Sequence, residues 1–393
     1  MLSRDEMRQV ERSLANSEQD TRDEIGFLLI HQGLADRFFP GTSVLHTRIR
    51  YALFVPWLYQ RAASIRRRGR DLDSTIRDLL IELAYRLKQL GEEPKDVIGG
   101  DKLGQLTSQP PDQVYWSAMR SWGLLLREVD SRTEALRRLV AGETASAVDD
   151  DGGKLDDTAT EVFASLPVPP TGWDNAKQPL HFKMPHVERE YLRRKLGRLT
   201  RADGAPALLA RLVGATGSFG NVARQLPLEL NLHADDADKK ALSIARDAAA
   251  LAAIGRAVYG ALVEKLVAQD GGLDERTFSK ELYVHFTKYG EAAGRCDLNG
   301  AEKLLPDLPL HVKQVLHETQ EFVLGKDPEK FFTLRSSYQT AEWKRKGQRA
   351  RLLDTQRAAL RRAEWNPQRH NTTPLHYRWS VVHEMLQDLK DQP

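Results

Sequence analysis

The sequence predicts a mainly α-helical protein in two lobes, and three features carry that reading. Apolar residues recur at three- and four-residue spacing through long stretches, most clearly 71–91 and 237–270. From Pro185 onward the β-branched alternation of strands is missing. Glycine and proline gather between these stretches, as at Pro40-Gly41 and over 96–113, and so read as connections. At 393 residues the chain exceeds what one core usually serves, and its 41% apolar content suffices for two. The expected division is a helical domain over 1–142, a linker over 143–179, and a second helical domain with a basic helix over 180–393.

Each element follows from its local pattern. Residues 3–18 read as an amphipathic helix with Met7, Val10 and Leu14 on one side. Asp20-Thr21 opens a mostly buried helix that runs to residue 35. After Pro40-Gly41, Thr42 or Ser43 is a natural N-cap for a helix over 43–55. Pro56, lacking a backbone N–H, should end or kink it near Val55. In 71–91, Ile76, Leu79, Leu80, Leu83, Leu87 and Leu90 keep helical spacing, with Asp73 or Ser74 capping the start and Gly91 the end. Residues 113–140 resume that spacing through Tyr115, Met119, Trp122 and Leu126. The segment 145–161 is acidic and nearly free of large apolar residues, and 166–173 continues it as an extended Pro-rich stretch. Helices then follow over 237–270, near 275–289, 309–324 and 338–364, and in an amphipathic element closing the chain from Tyr377. A short strand at 226–232 is the one competing indication.

Composition narrows the class. No run of eighteen apolar residues exists, so no membrane span is expected. The first residues lack the apolar core of a secretory signal, and Cys296 stands alone, without a disulfide partner. Together these point to the cytoplasm. The formal net charge of +3 is small, but its distribution is uneven: residues 335–370 hold ten Lys/Arg against three Asp/Glu.

Four places invite a chemical reading. "GATGSFGN" at 214–221 has glycines spaced like a phosphate cradle, but no strand precedes it and no Lys-Ser/Thr follows, so it reads as a helix cap and loop. The eleven histidines form no HExxH and no tight cluster, so no metal site is assigned and no cofactor is expected. On a helix through 338–371, Lys344 and Arg351 share a face that adjoins Arg345 and Arg349, with Trp343 and Trp365 flanking the charges. Such a face suits a phosphate backbone, with Lys344, Arg345, Lys346, Arg349, Arg351, Arg357, Arg361 and Arg362 as contacts and Trp343 stacking or packing. The bland alternative is a solvated helix face. Finally, "FFPGTSVLHTRIRYALFVPWLY" at 38–59 places His46, Arg48 and Arg50 in a segment that reads as buried. A buried arginine must be paired. The nearest carboxylates in sequence are Asp20, Asp23, Glu24 and Asp36, and Arg22 belongs to the same cluster. A structural ion-pair network is the default. The alternative is an anion site with Thr42 and Ser43 at a helix N-terminus and His46 and Arg50 one turn on.

These residues also carry a resemblance. The chain resembles a bacterial family of unknown function with the pattern D-T-R-D-E-x-G, then F-x-D-x-x-F-P-G-T-S-x-x-x-T-R-x-R-Y-x-x-F-V-P-W-x-Y, matched here by Asp20–Glu24 with Gly26, then by Asp36, Phe39–Ser43, Thr47-Arg48, Arg50-Tyr51 and Phe54–Trp57 with Tyr59. Further matches are "VIG" at 97–99, "YW…WG" at 115–123, "KGQRARLL" at 346–353 and "YRW" at 377–379. Gly100-Asp101 departs from it, since the family tends to be more basic there. The resemblance implies a place in phage-defence gene clusters beside helicase-like and phospholipase-D-like nuclease genes. The leading expectation is a non-catalytic defence subunit that binds DNA and docks on such a partner. The rival is a nuclease or other phosphoryl-handling enzyme, its carboxylates at Asp20, Asp23 and Glu24 holding Mg²⁺ and its arginines holding phosphate. A third is an adaptor that touches no nucleic acid.

Overall fold

In a computed structural model of the chain, the described residues are 23–66, 71–126, 128–145, 161–215, 226–273 and 275–390. They form fourteen α-helices and no sheet; the only bridges among them are Leu125 with Phe163 and Thr200 with Pro206. The helix expected at 3–18, residues 20–22 of the next one, the acidic stretch over 146–160, and residues 216–221 of the glycine-rich segment lie outside the described residues. The helix expected to run from Asp20 to residue 35 is present as Phe27–Phe38. No described helix is long and apolar enough to cross a membrane.

The described residues divide into two compact units, and the division falls within α1 (Phe27–Phe38), after Leu34, and between Tyr377 and Arg378. The first unit takes the residues through Leu34 and 226–377; the second takes 35–215 and 378–390. These units interleave along the chain, whereas the division at 142 and 180 runs along it.

In the first unit α8 (Asp236–Gln269) is the axis, buried almost without interruption from Ala241 to Leu266. Asp235 caps its start by accepting from the Asp238 amide at 2.8 Å. Its alanines and glycines let α9 (Thr277–Gly294), α10 (Leu298–Leu304) and α11 (Leu310–Leu324) pack against it. Glu264 of α8 caps α9 by accepting from the Phe278 amide at 2.9 Å, where Arg276 supplies no side-chain cap. Residues 228–232 form a 3-10 turn rather than the competing strand.

The second unit is built on α2 (Tyr51–Arg66), α3 (Leu72–Lys88), α4 (Pro111–Ser121), α5 (Arg132–Ala145), α6 (His186–Leu196), α7 (Leu208–Val213) and α14 (Trp379–Leu389). Asp71, two residues before the earlier of the two expected caps, caps α3 by accepting from the Ser74 amide at 2.9 Å. Pro56 lies inside α2 and does not end it. The helix persists because Ala52 through Tyr59 are all but fully buried, and that packing outweighs the lost backbone bond. The expected helix over 113–140 is instead α4 and α5, separated by a turn at Trp122-Gly123. The Pro-rich stretch is not free: Trp173 is buried, stacks on Phe54 at 5.8 Å, and offers its carbonyl to Arg86 at 2.7 Å.

Candidate nucleic-acid interface and the motif loop

The opening motif is a loop, not a helix. Residues 42–50 form turns before α2 begins at Tyr51, and Val44 and Leu45 are exposed. Serine, threonine and β-branched residues dominate it, and the Ser43 hydroxyl accepts from the Leu45 amide at 3.3 Å, a local bond that competes with helix. The distant motif pieces hold the loop's backbone. Gly41 takes φ +77°, and a Cβ there would meet the Trp122 indole nitrogen at 2.6 Å. That indole donates to the Pro40 carbonyl at 3.1 Å. The Tyr115 hydroxyl accepts from the Thr47 amide at 3.0 Å and donates to the Arg48 carbonyl at 2.9 Å. Tyr51 accepts from the Ile98 amide at 2.9 Å. Arg378 donates to the Thr42 carbonyl at 2.7 Å and pairs with Asp36.

Both arginines are consumed by carboxylates. Arg50, 1% exposed, meets Glu188 in a fork of 2.7 and 2.6 Å and gives its remaining amino group to the His181 and Lys183 carbonyls. Arg48 donates through Nε to both Asp388 oxygens at 2.8 and 3.0 Å and through a terminal nitrogen to Asp96 at 3.1 Å. Burial works against its charge, but Asp388 and Asp96 outweigh it and hold its pKa above the ordinary value. The partners expected from sequence are therefore corrected. Asp36 serves Arg378, Asp23 and Glu24 belong to the other unit, and Asp20 and Arg22 lie outside the described residues.

His46 is not on a helix face with Arg50; it is stacked on Tyr115 at 4.3 Å. Its Nδ1 accepts from the Ser43 amide at 3.2 Å, which leaves the proton on Nε2, donating to the Val114 carbonyl at 3.1 Å. Burial drives its pKa down to about 3, and the Arg378 charge adds to this against the opposing Val114 carbonyl. A neutral folded imidazole stabilises the fold above the unfolded pKa of 6.5, and that stability is lost as pH falls through 6.5 toward 3. His46→Gln removes the titration. Urea unfolding of the parent from pH 7.5 to 5 should therefore lose about 2 kcal/mol more than the variant. Parallel losses would contradict a buried neutral His46.

In the first unit the basic segment is two helices rather than one. α12 (Arg335–Lys346) stops at Gly347, φ +52°, and α13 (Gln356–Ala363) starts after a turn, capped by Thr355. Buried Glu342 pins that turn, accepting from the Arg351 and Leu352 amides at 2.9 Å each and from the Tyr259 hydroxyl at 2.6 Å. The cations then divide into two sets. Arg345 pairs with Asp23 at 2.8 Å, Lys346 with Glu24 at 3.5 Å, and Arg351 approaches Glu24 at 3.8 Å. Arg362 forks onto Asp270 at 2.6 and 3.0 Å. Lys344, Arg349 and Arg357 are exposed, and Arg361 meets only its neighbour Glu364, at 2.9 Å. Trp343 is 39% exposed, while Trp365 packs on Phe278 at 5.4 Å. Among the described residues no group of three His, Cys, Asp or Glu could hold a metal ion. Burial pushes the Cys296 thiol up to about 12, which keeps it protonated and unreactive.

Sequence reasoning missed Glu188, Asp96 and Asp388, the carboxylates that serve the motif arginines. Two of them left a signal: Glu188 and Asp388 sit in register with the apolar stripes of α6 and α14, beside Tyr191 and Leu192 and beside Met385 and Leu389. An acid on an apolar stripe implies a buried cationic partner.

Residues 4–211 match the model of a family of unknown function, DUF6361, which spans more than half of the chain and includes the whole motif loop with Glu188. The chain belongs to that family. No curated protein and no solved structure matches it. The motif loop lies within the matched region, while residues 338–371 lie beyond it.

Proposed function

We propose that the protein is a cytoplasmic, non-catalytic subunit of a bacterial anti-phage assembly, binding DNA through the outward cations of 338–371 and docking on a helicase-like or nuclease-like partner. The observation that carries this is the division of labour among the cations. Arg345, Lys346, Arg351 and Arg362 tie the segment to Asp23, Glu24 and Asp270, while Lys344 and Arg357 are exposed, Arg361 is half-exposed, and Trp343 is exposed next to Lys344 in the chain. Fixed helices that present cations outward suit phosphates, because each contact releases counterions. The family resemblance supports the defence setting.

The contacts around the motif loop weigh against the enzyme alternative. Both His46 nitrogens are occupied, the Thr42 hydroxyl donates to the Phe39 carbonyl at 2.7 Å, and the Arg50 fork is filled by Glu188. No lone pair on His46 remains to take a proton, and no guanidinium edge of Arg50 remains to receive a phosphate.

The test is duplex-DNA binding by the purified protein across 50–300 mM salt. The expected result is a steep linear fall of log affinity against log salt, by roughly 0.9 for each phosphate contacted. Affinity that ignored salt, or no binding at 50 mM, would overturn the reading.

A further inference from the structure

We infer that Arg194, Lys195 and Arg198, at the end of α6, form a second phosphate contact for DNA, in the second unit. The inference rests on the DNA-binding reading above but on different residues. Most arginines of this unit are neutralised: Arg48, Arg50, Arg61, Arg132 and Arg201 each lie within 4 Å of a carboxylate. The α6 cluster is different. Glu190, the acid on the same helix, is taken by Arg193 at 2.7 Å. Arg194 and Arg198 are exposed, and no carboxylate among the described residues comes within ion-pair distance of either.

The cluster is also pre-formed. The Lys195 ammonium donates to the Gly123 carbonyl at 2.6 Å and lies 5.5 Å from the Tyr191 ring centre. The Arg194 guanidinium lies 5.9 Å from the same ring, which is itself buried. Arg198 follows the capping Gly197, its amide bonded to the Lys195 carbonyl at 3.3 Å. Burial lowers the Lys195 pKa, and the Arg198 and Arg194 charges lower it further, so the three cations repel one another. The negative end of α6 offsets part of this, but that effect fades beyond the last turn, where Arg198 stands. A phosphate backbone relieves the repulsion and releases its own counterions. The cluster also lies inside the residues that match the family model, unlike 338–371.

The experiment compares duplex-DNA affinity against salt for the parent, an Arg194→Gln/Arg198→Gln variant and an Arg194→Lys/Arg198→Lys variant. A Lys344→Gln/Arg357→Gln variant runs in parallel. Both α6 positions are exposed, and thermal unfolding checks that each variant folds. The expected result is a log–log slope shallower by about 2 in the glutamine variant and preserved in the lysine variant. An unchanged slope in the glutamine variant overturns the inference, including where that variant instead loses binding to phosphatidylserine vesicles. If only the Lys344/Arg357 variant loses slope, the α6 contact fails and the basic segment stands. If the parent shows no salt-dependent binding, both fail.

Discussion

Replacing Arg50 with methionine is expected to destabilise the fold by about 3–5 kcal/mol, the cost of leaving a buried carboxylate without its partner. Glu188 is 3% exposed and has its two oxygens in the Arg50 fork, at 2.7 and 2.6 Å. The same substitution orphans the His181 and Lys183 carbonyls, which now accept from the guanidinium. Arg50→Lys should recover little, because an ammonium cannot span the fork and reach the carbonyls together. The companion Arg50→Met/Glu188→Leu removes both charges and should regain much of the loss, since apolar pairs replace buried ion pairs at little cost. Urea unfolding followed by circular dichroism reads all three variants. A loss below about 1 kcal/mol for Arg50→Met would mean that the motif loop does not depend on this pair.

The second large effect separates the two cation sets of the basic segment. Lys344→Glu/Arg357→Glu alters exposed residues without a carboxylate partner among the described residues, so stability should change by less than about 0.5 kcal/mol per site while DNA affinity drops sharply. Arg362→Gln does the reverse. It breaks the fork to Asp270 and the bond to the Leu353 carbonyl at 3.0 Å, and should cost about 1–3 kcal/mol of stability. Its effect on DNA affinity should be small at temperatures where it stays folded. If Arg362→Gln abolished binding while folded, and Lys344→Glu/Arg357→Glu did not, the cation sets would have to be exchanged.

The helices were legible where periodicity was long and unbroken. The stretch 71–91 became α3, 237–270 became α8, and 309–324 became α11, each within three residues of its expected ends. In α3 and α11 one apolar face settles the element, and in α8 a long alanine-rich run buried on nearly all sides does so. The motif loop was misread because its apolar residues suggest a helix while its backbone is held from outside, by Trp122, Tyr115 and Arg378. Bonds between residues far apart in sequence leave no local period. The ion pairs were hidden for the same reason. Arg50 reaches 138 residues to Glu188, and Arg48 reaches 340 residues to Asp388, whereas the sequence offered Asp23 and Glu24 close by. The basic segment was legible as a charge excess but not as two sets of cations. Gly347 breaks its helix, and Asp23, Glu24 and Asp270 claim half of its charge from other parts of the chain.

The most direct measurement is the slope of log affinity against log salt for a 20-base-pair duplex, taken for the parent and for Lys344→Gln/Arg357→Gln. A DNA interface on the outward cations gives a steep parent slope and a variant slope shallower by about 2, with unchanged thermal stability. Identical slopes, or a parent that does not bind at 50 mM salt, would contradict it.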